Sequence, residues 1–371
     1  MVEKIKIGLD GKPLCENQSG ISRYVYEICM RLDHLMPEVE FFLYCPKPLK
    51  INPPSFRWKP RIDGSLIHRG LSSYAWLKLR VGSLCQKDGV ALFWATRTIL
   101  PRVTPGMRTV ATVHDLNYCV YPETMPRVTL WAQRLWFRRS VNQADAVVVN
   151  SAGTGQRLLE FLGKQADAIA RPGVSSSFGP QSTRRVDQCL QKLGIKRPYF
   201  LAVGTLEPRK NLQSLVNAFI QLQIEGRIDN HKLIIVGRNG WRNNRERRLI
   251  EKSSYRGVHW IGYIEDDKLA ALYAGATAFV FPSLYEGFGI PALEATACRT
   301  RLIASDIPEL REAGGEAGLY ISPTVEGIKA GLLQVLETWQ STDKIKQPCS
   351  TWDSASHVMA RVFNGLIGTP I

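Results

Sequence analysis

No two cysteines form a CxxC pair, and the eight of them, at positions 15, 29, 45, 85, 119, 189, 298 and 349, make no tight cluster with histidine. That excludes a zinc knuckle and a disulfide framework, and leaves cysteine as a small buried apolar side chain in a reducing compartment. No uninterrupted apolar run approaches the roughly 18 residues that a membrane span needs. The start MVEKIKIGLD puts charge where a signal peptide would carry its apolar stretch, so a cytoplasmic location is expected. No GxGxxG follows the first strand-like segment, which disfavours a dinucleotide fold. Gly plus Pro is only 51 of 371 residues, far from collagen or a disordered tract.

Apolar residues make up 44% and charged residues 22%, as in a soluble globular protein. The length of 371 residues exceeds what one ordinary core supports, and two domains are expected. Acidic residues are outnumbered: 48 Lys and Arg stand against 33 Asp and Glu, a net charge of +15. The field therefore favours polyanions, anionic lipid headgroups or phosphorylated substrates. The excess is uneven, because residues 57–140 hold fourteen Lys and Arg and only four acids (Asp63, Asp88, Asp115, Glu123).

The segment Ile5–Leu9 alternates apolar and polar residues as a strand does, and the turn cluster Asn17-Gln18-Ser19-Gly20 precedes a helical pattern carried by Ile21, Val25, Ile28 and Leu32. Further strands are predicted at Val39–Tyr44, Ala91–Trp94, Arg108–Val113 and Ala146–Val149, with helical stretches between several of them. Residues 171–198 are rich in Pro, Gly and Ser and separate this run from a second. The second run has strands at Tyr199–Gly204, Lys232–Gly237 and Ala278–Phe281, a helix from Leu212 to Leu222, and a helical tail from Trp352 to Leu366. Strands alternating with helices argue for parallel sheets with ligands at the carboxyl ends of the strands.

Two strand-to-helix loops carry the chemistry. In Gly204-Thr205-Leu206-Glu207-Pro208-Arg209-Lys210-Asn211, two cations approach a helix N-terminus, where free N–H groups, the dipole and a guanidinium all favour phosphate oxygens. A solvated basic surface is the plain alternative. In the second loop, Phe281 to Glu294, the carboxylates Glu286 and Glu294 stand eight residues apart around Gly287 and Gly289, with Pro291 opening the helix. Carboxylates facing an anion would repel it, so sugar or ribose hydroxyls fit them better. For an isolated pair, a dipole-stabilised helix Glu and a solvated loop Glu account for the same residues.

The spacing of EGFGIPALE, with GTLEPRKN about eighty residues earlier, resembles the E-x7-E signature and phosphate pair of retaining GT-B glycosyltransferases of family 4. GLDGKPL through GISRY, Val113-His114-Asp115, PGV at 172–174, GYI at 262–264 and AGLYISP at 317–323 follow in the family's order, so the resemblance spans nearly the whole chain. It implies two Rossmann-like parallel-sheet domains facing a cleft: residues 1–175 for the acceptor, 176–350 for the nucleotide sugar, and 351–371 as a helix crossing back to the first domain. It further implies that Arg209 and Lys210 bind the donor diphosphate, that Glu294 accepts from the ribose, and that Glu286 accepts from hydroxyls of the sugar. The amides of Gly287, Phe288, Gly289 and Ile290 would face sugar and phosphate, and Gly204 and Tyr263 would join the donor site. His114 would contact the sugar near the reacting carbon, and Gly20, Ile21 and Ser22 would form a first-domain loop approaching the diphosphate.

Family members of this type work without a metal, and no DxD triplet occurs. A donor nucleotide sugar, GDP-mannose favoured, is the only small molecule expected, with no separate cofactor. A covalent role for Glu286 ranks below a binding role. His114 alone reads more often as a packed or capping residue, and its place in Val113-His114-Asp115 is what favours function; Arg23 fits a substrate contact or a surface cation, and Asp115 a turn cap or a substrate contact. One departure from the family pattern is Cys298-Arg299-Thr300-Arg301, where Arg299 and Arg301 replace the usual Gly and Pro.

The basic stretch is interleaved with Trp58, Tyr74, Trp76, Trp94, Trp131, Trp136 and Phe137, and residues 126–141 read as a helix with aromatic and cationic faces. Such a helix can lie on an anionic membrane and reach a lipid-linked or other glycan acceptor from the cytosolic side. Aromatics in the core and cations in solvent are the equal alternative. Two rival readings are a GT-B epimerase or phosphorylase, and a basic nucleic-acid binder, for which no zinc finger, RRM or zipper pattern is present.

Overall fold

The computed structural model describes residues 4–16, 19–63, 72–228, 230–240, 244–316, 318–337 and 350–368. Asn17, Gln18, Ala317, Cys349 and the last three residues of the expected 351–371 segment lie outside them. The chain divides into two compact units, Met1–Cys119 with Arg127–Gly173 and Ser350–Ile371, and Val120–Pro126 with Val174–Cys349.

The first unit is built on seven parallel strands: β1 Ile5–Asp10, β2 Val39–Cys45, β3 Trp58–Ile62, β4 Leu92–Ala95, β5 Arg108–Val113, β6 Ala146–Val149 and β7 Ala168–Ile169. Their order is β3-β2-β1-β4-β5-β6-β7, so the connections reverse direction between β1 and β4. The inner strands β4 and β6 are buried throughout, which is why they read as near-continuous apolar runs. At the edge, β3 carries Pro60 and Arg61, residues that discourage further strand pairing. The helix Trp352–Ile367 packs on the helix Gly20–Leu35 of this same unit. There Trp352 meets Tyr24 edge-on at 6.0 Å, and the main chain passes so close that a Cβ on Gly173 would lie 2.2 Å from the Trp352 nitrogen.

The second unit has six parallel strands: β8 Tyr199–Val203, β9 Lys232–Val236, β10 Val258–Trp260, β11 Ala278–Phe281, β12 Leu302–Ser305 and β13 Leu319–Ile321. Their order is β10-β9-β8-β11-β12-β13, with the reversal between β8 and β11. Alternate residues feed two cores. Tyr199, Leu201, Phe279 and Phe281 enter the core on one face, and Phe200, Ala202, Ala278 and Val280 enter the core on the other.

Most aromatics of the basic stretch belong to the interior. Trp58, Trp76, Trp94 and Phe137 are buried, Trp58 stacked on Phe41 at 3.9 Å, whereas Trp131 is 69% exposed. Five cysteines are buried as expected, but Cys119 and Cys189 are only half-buried. Among the described residues no helix is long and apolar enough to cross a membrane.

Candidate functional site

In open parallel sheets, ligands bind beyond the carboxyl ends of the strands where the connections reverse. In the second unit that place lies between β8 and β11, and the loops leaving those two strands are the two that the sequence singles out. The first leaves β8 at Gly204 and closes in a 3₁₀ turn, Pro208–Lys210. Asn211 then takes a left-handed φ of 55° and starts the helix Leu212–Ile224, its amide donating to the carbonyls of Pro282 at 3.1 Å and Pro323 at 2.7 Å. The cations thus stand on a turn before the helix, not in its first turn. Gly237 is required here: at φ 149°, any Cβ would lie 1.8 Å from the Gly204 carbonyl oxygen.

The second loop runs from Pro282 to Gly289 and enters the helix Ile290–Ala297 one residue before Pro291. Gly289, at φ 103°, leaves no room for a Cβ, which would fall 2.4 Å from the Leu310 side chain. The Phe288 side chain is buried in the adjoining core.

The two loops meet through charge. The Arg209 guanidinium donates to the Tyr285 carbonyl at 2.5 Å and lies 2.8 Å from Glu286 Oε2 and 2.9 Å from Glu207 Oε1. Lys210 Nζ lies 2.6 Å from Glu286 Oε1 and 5.1 Å from the centre of the Phe281 ring. All four charged side chains are buried or nearly so, which rules out both solvated readings, the basic surface and the loop Glu. Glu286 does not stand apart from the cations but neutralises them. Burial alone would raise its carboxyl, yet the charges of Arg209 and Lys210 and the hydrogen bond from Lys210 outweigh that and bring it to about 2.

Glu294 occupies a different neighbourhood. It is buried on the helix Ile290–Ala297 and accepts from the phenol of Tyr273, a fully buried residue, at 3.2 Å. Tyr263 is 45% exposed, with the Arg238 guanidinium 4.3 Å from its ring centre. Glu207, Asn211 and Tyr273 belong to this region and were missed. The one sequence signal is a Glu two residues before the Arg in the same loop.

In the first unit, His114 follows β5 and is buried. Its Nε2 lies 2.8 Å from the Thr96 carbonyl oxygen, an atom that can only accept, so Nε2 carries the proton. Burial, the largest effect, pushes the imidazole pKa down despite opposing contributions from Thr96 and Asp115. The neutral ring therefore offers Nδ1 as an acceptor. Asp115 accepts from the Asn117 amide at 3.0 Å, the turn-capping alternative. Gly20, Ile21 and Ser22 are not a loop, because Ser19 caps a helix that starts at Gly20 and accepts from the Ser22 amide at 3.2 Å. The Ser22 hydroxyl is committed to the Pro13 carbonyl at 2.7 Å. Ahead of them the described chain forms the 3₁₀ turn Lys12–Cys15.

Arg299 stands in the left-handed region at φ 58°, where the family pattern has Gly. It is the residue that ends the helix Ile290–Ala297, with the amide of Thr300 reaching back to the Ala295 carbonyl at 2.9 Å.

Two family models match the chain, Glycosyltransferase Family 4 over residues 18–172 and Glycosyl transferases group 1 over residues 187–348. Between them they take in most of the chain, which belongs to the family 4 glycosyltransferases. Relatives include the O-antigen chain mannosyltransferase B of Escherichia coli, 34% identical over 62% of this chain and 61% of that protein. The O-antigen chain mannosyltransferase RfbU of Salmonella typhimurium is 28% identical over 72% of this chain and 68% of its own length. The chain thus spans about three fifths of the first of these relatives. Among solved structures, WaaG, a glycosyltransferase involved in lipopolysaccharide biosynthesis, superposes with a TM-score of 0.75 at 18% identity, covering 97% of this chain and 100% of that one. The Anabaena protein HepE, solved with UDP-glucose, gives a TM-score of 0.66 at 16% identity, covering 98% of each chain. These likenesses establish the fold as GT-B.

Proposed function

We propose that this protein is a retaining, metal-independent hexosyltransferase that moves a sugar from a nucleotide diphosphate donor onto a glycan or lipid-linked acceptor in cell-surface polysaccharide assembly. The observation that carries this reading is the meeting of Lys210, Arg209 and Glu286 at the carboxyl ends of β8 and β11. Positive charge held there stabilises the charge that builds on a departing diphosphate. Glu294, held by Tyr273, accepts from ribose hydroxyls and Glu286 from a sugar hydroxyl, while in the first unit His114 offers Nδ1 as an acceptor for a substrate hydroxyl. The acceptor hydroxyl oxygen bonds to the anomeric carbon, the bond to the diphosphate breaks, and the hydroxyl proton passes to the leaving phosphate oxygen. Mannose from GDP-mannose is the favoured donor, a choice supported by the mannosyltransferases among the relatives.

The test is thermal stabilisation by GDP, UDP, TDP and ADP, since a ligand at about 100 times its dissociation constant adds roughly 2.7 kcal/mol. Release of nucleoside diphosphate only when a glycan acceptor is present separates transfer from epimerase or phosphorylase chemistry. Absence of stabilisation by every nucleotide, together with salt-dependent DNA binding, would favour the nucleic-acid reading.

The acceptor side includes a membrane-facing helix, Arg127–Gln143. It contains no acid, and Val128, Trp131 and Leu135 stay 65%, 69% and 65% exposed beside Arg127, Arg134 and Arg138. All of these side chains except Arg138 border a groove of about 630 Å³. Cations around exposed apolar groups match an anionic bilayer surface better than a polyanion without apolar content. Sedimentation with phosphatidylglycerol vesicles, lost in Trp131→Glu and weakened by salt, is expected; equal sedimentation of that variant overturns the assignment.

A further inference from the structure

Arg209 and Lys210 are neighbours in sequence with opposite surroundings. The Arg209 guanidinium is engaged by acceptors from three residues on two loops: the Tyr285 carbonyl, Glu286 Oε2 and Glu207 Oε1. Its own carbonyl accepts from the Leu284 amide at 2.9 Å, so main chain and side chain together bind one loop to the other. A planar fork of donors suits several fixed acceptors at once, and an ammonium does not reproduce it. Glu207 is a buried carboxylate, and its ion pair is with Arg209. A charge left unpaired there is costly, so this pair is a fixed anchor. Lys210 is tied differently: of three donors, one is committed to Glu286 Oε1, with the ammonium over the Phe281 ring.

We propose that the two cations divide the work: Lys210 is the cation that meets phosphate, and Arg209 is a positioning residue that, anchored by Glu207, holds the Glu286 carboxylate and the loop carrying it. This deepens the reading above and rests on it, since the phosphate is that of the donor. A phosphate ligand would have to surrender its existing acceptors on binding. Arg209 would leave the buried Glu207 unpaired if it did so, whereas Lys210 would only share Glu286 with Arg209.

Four variants test this: Glu207→Gln, Arg209→Met, the double variant Glu207→Gln/Arg209→Met, and Lys210→Met. Calorimetry measures binding of the preferred nucleoside diphosphate and its parent nucleoside, and turnover is measured at saturating donor. Arg209→Met alone leaves a buried carboxylate unpaired and can fail to fold; the double variant removes both charges and keeps the test usable. The expected result is a diphosphate-over-nucleoside preference within about threefold of the parent protein in the double variant. The same preference should fall by more than about tenfold in Lys210→Met, the equivalent of losing one charged contact. Turnover should fall by roughly 100-fold in Glu207→Gln and no further in the double variant, the pattern of a misplaced group and not of a lost ligand. Arg209→Lys should not restore it. If the double variant loses the diphosphate preference while Glu207→Gln keeps full turnover, Arg209 is a phosphate ligand and the division of labour is wrong. Should the parent protein show no diphosphate preference at all, it is the donor reading that fails. The anchor is then decided by denaturant unfolding, where coupling between Glu207 and Arg209 of at least about tenfold in the unfolding constant supports it and additivity overturns it.

Discussion

The Lys210 ammonium lies 2.6 Å from a Glu286 oxygen although the two residues are 76 positions apart. They meet because the strand order makes β8 and β11 neighbours where the connections reverse, so the loops that follow these strands share one end of the sheet. Motifs far apart in sequence thereby become one charged cluster.

Acid stability follows from that cluster. The Glu286 carboxyl is held near 2 against an ordinary value of 4.5, so its contribution to stability is complete above about pH 4.5 and is lost as pH falls toward 2. Glu286→Gln should be less stable at neutral pH and should lose less on acidification. Denaturant midpoints between about pH 7 and about pH 3 measure this, and parallel acid limbs in the two proteins would count against the ion pairs.

Tyr273→Phe removes the phenol that donates to Glu294 while keeping a ring in the core. Loss of one hydrogen bond to a carboxylate costs about 1.5 to 3 kcal/mol at the group concerned. Nucleoside diphosphate affinity should therefore fall by about tenfold or more with the fold intact. Unchanged affinity by calorimetry would separate Glu294 from the donor.

At position 299 the expected change is a gain. Arg299 holds a left-handed φ of 58° at a helix end, and Gly adopts that conformation without a Cβ clash. Arg299→Gly should stabilise the protein by about 0.5 to 1 kcal/mol, visible as a thermal midpoint raised by about 1–4 °C. A lowered midpoint would mean that the arginine side chain contributes more than its backbone strain costs.

His114→Gln can keep a donor to the Thr96 carbonyl, but its one acceptor, the amide Oε1, is displaced from the position that Nδ1 holds on the ring. Stability should change little and transfer should drop by about 100-fold, the scale of a lost polar contact in the transition state. Because burial pushes the His114 pKa down, its protonation should begin to slow transfer only below the ordinary histidine range. A pH-rate profile with a histidine-like step near 6.5 would contradict the buried neutral ring.

The legible parts of the sequence were those dominated by local chemistry. Strands such as β6 and β11 are short apolar runs bounded by polar loops, and their limits are readable directly. Five strands escaped: β3 mixes Lys, Pro and Arg because it is an edge, β7, β10 and β13 have only two or three residues, and β12, Leu302–Ser305, is a buried run of four that the sequence reading did not single out. The helix starting at Gly20 is readable from its period, which includes Ile21, whereas a loop at Gly20, Ile21 and Ser22 is what the family resemblance implies, and Ser19 caps the helix ahead of all three.

By itself, the sequence determined the two α/β runs, the residues of the two glycine-bearing loops and the excess of basic charge, all of which are properties of residue type and spacing. Only the tertiary structure decided that Glu286 balances Arg209 and Lys210, that Glu294 leans on Tyr273, and that Trp58, Trp76, Trp94 and Phe137 of the basic stretch belong to the core. Ionic pairing and burial depend on which strand ends lie side by side, and that order is set by the packing of the whole sheet, which no local window contains.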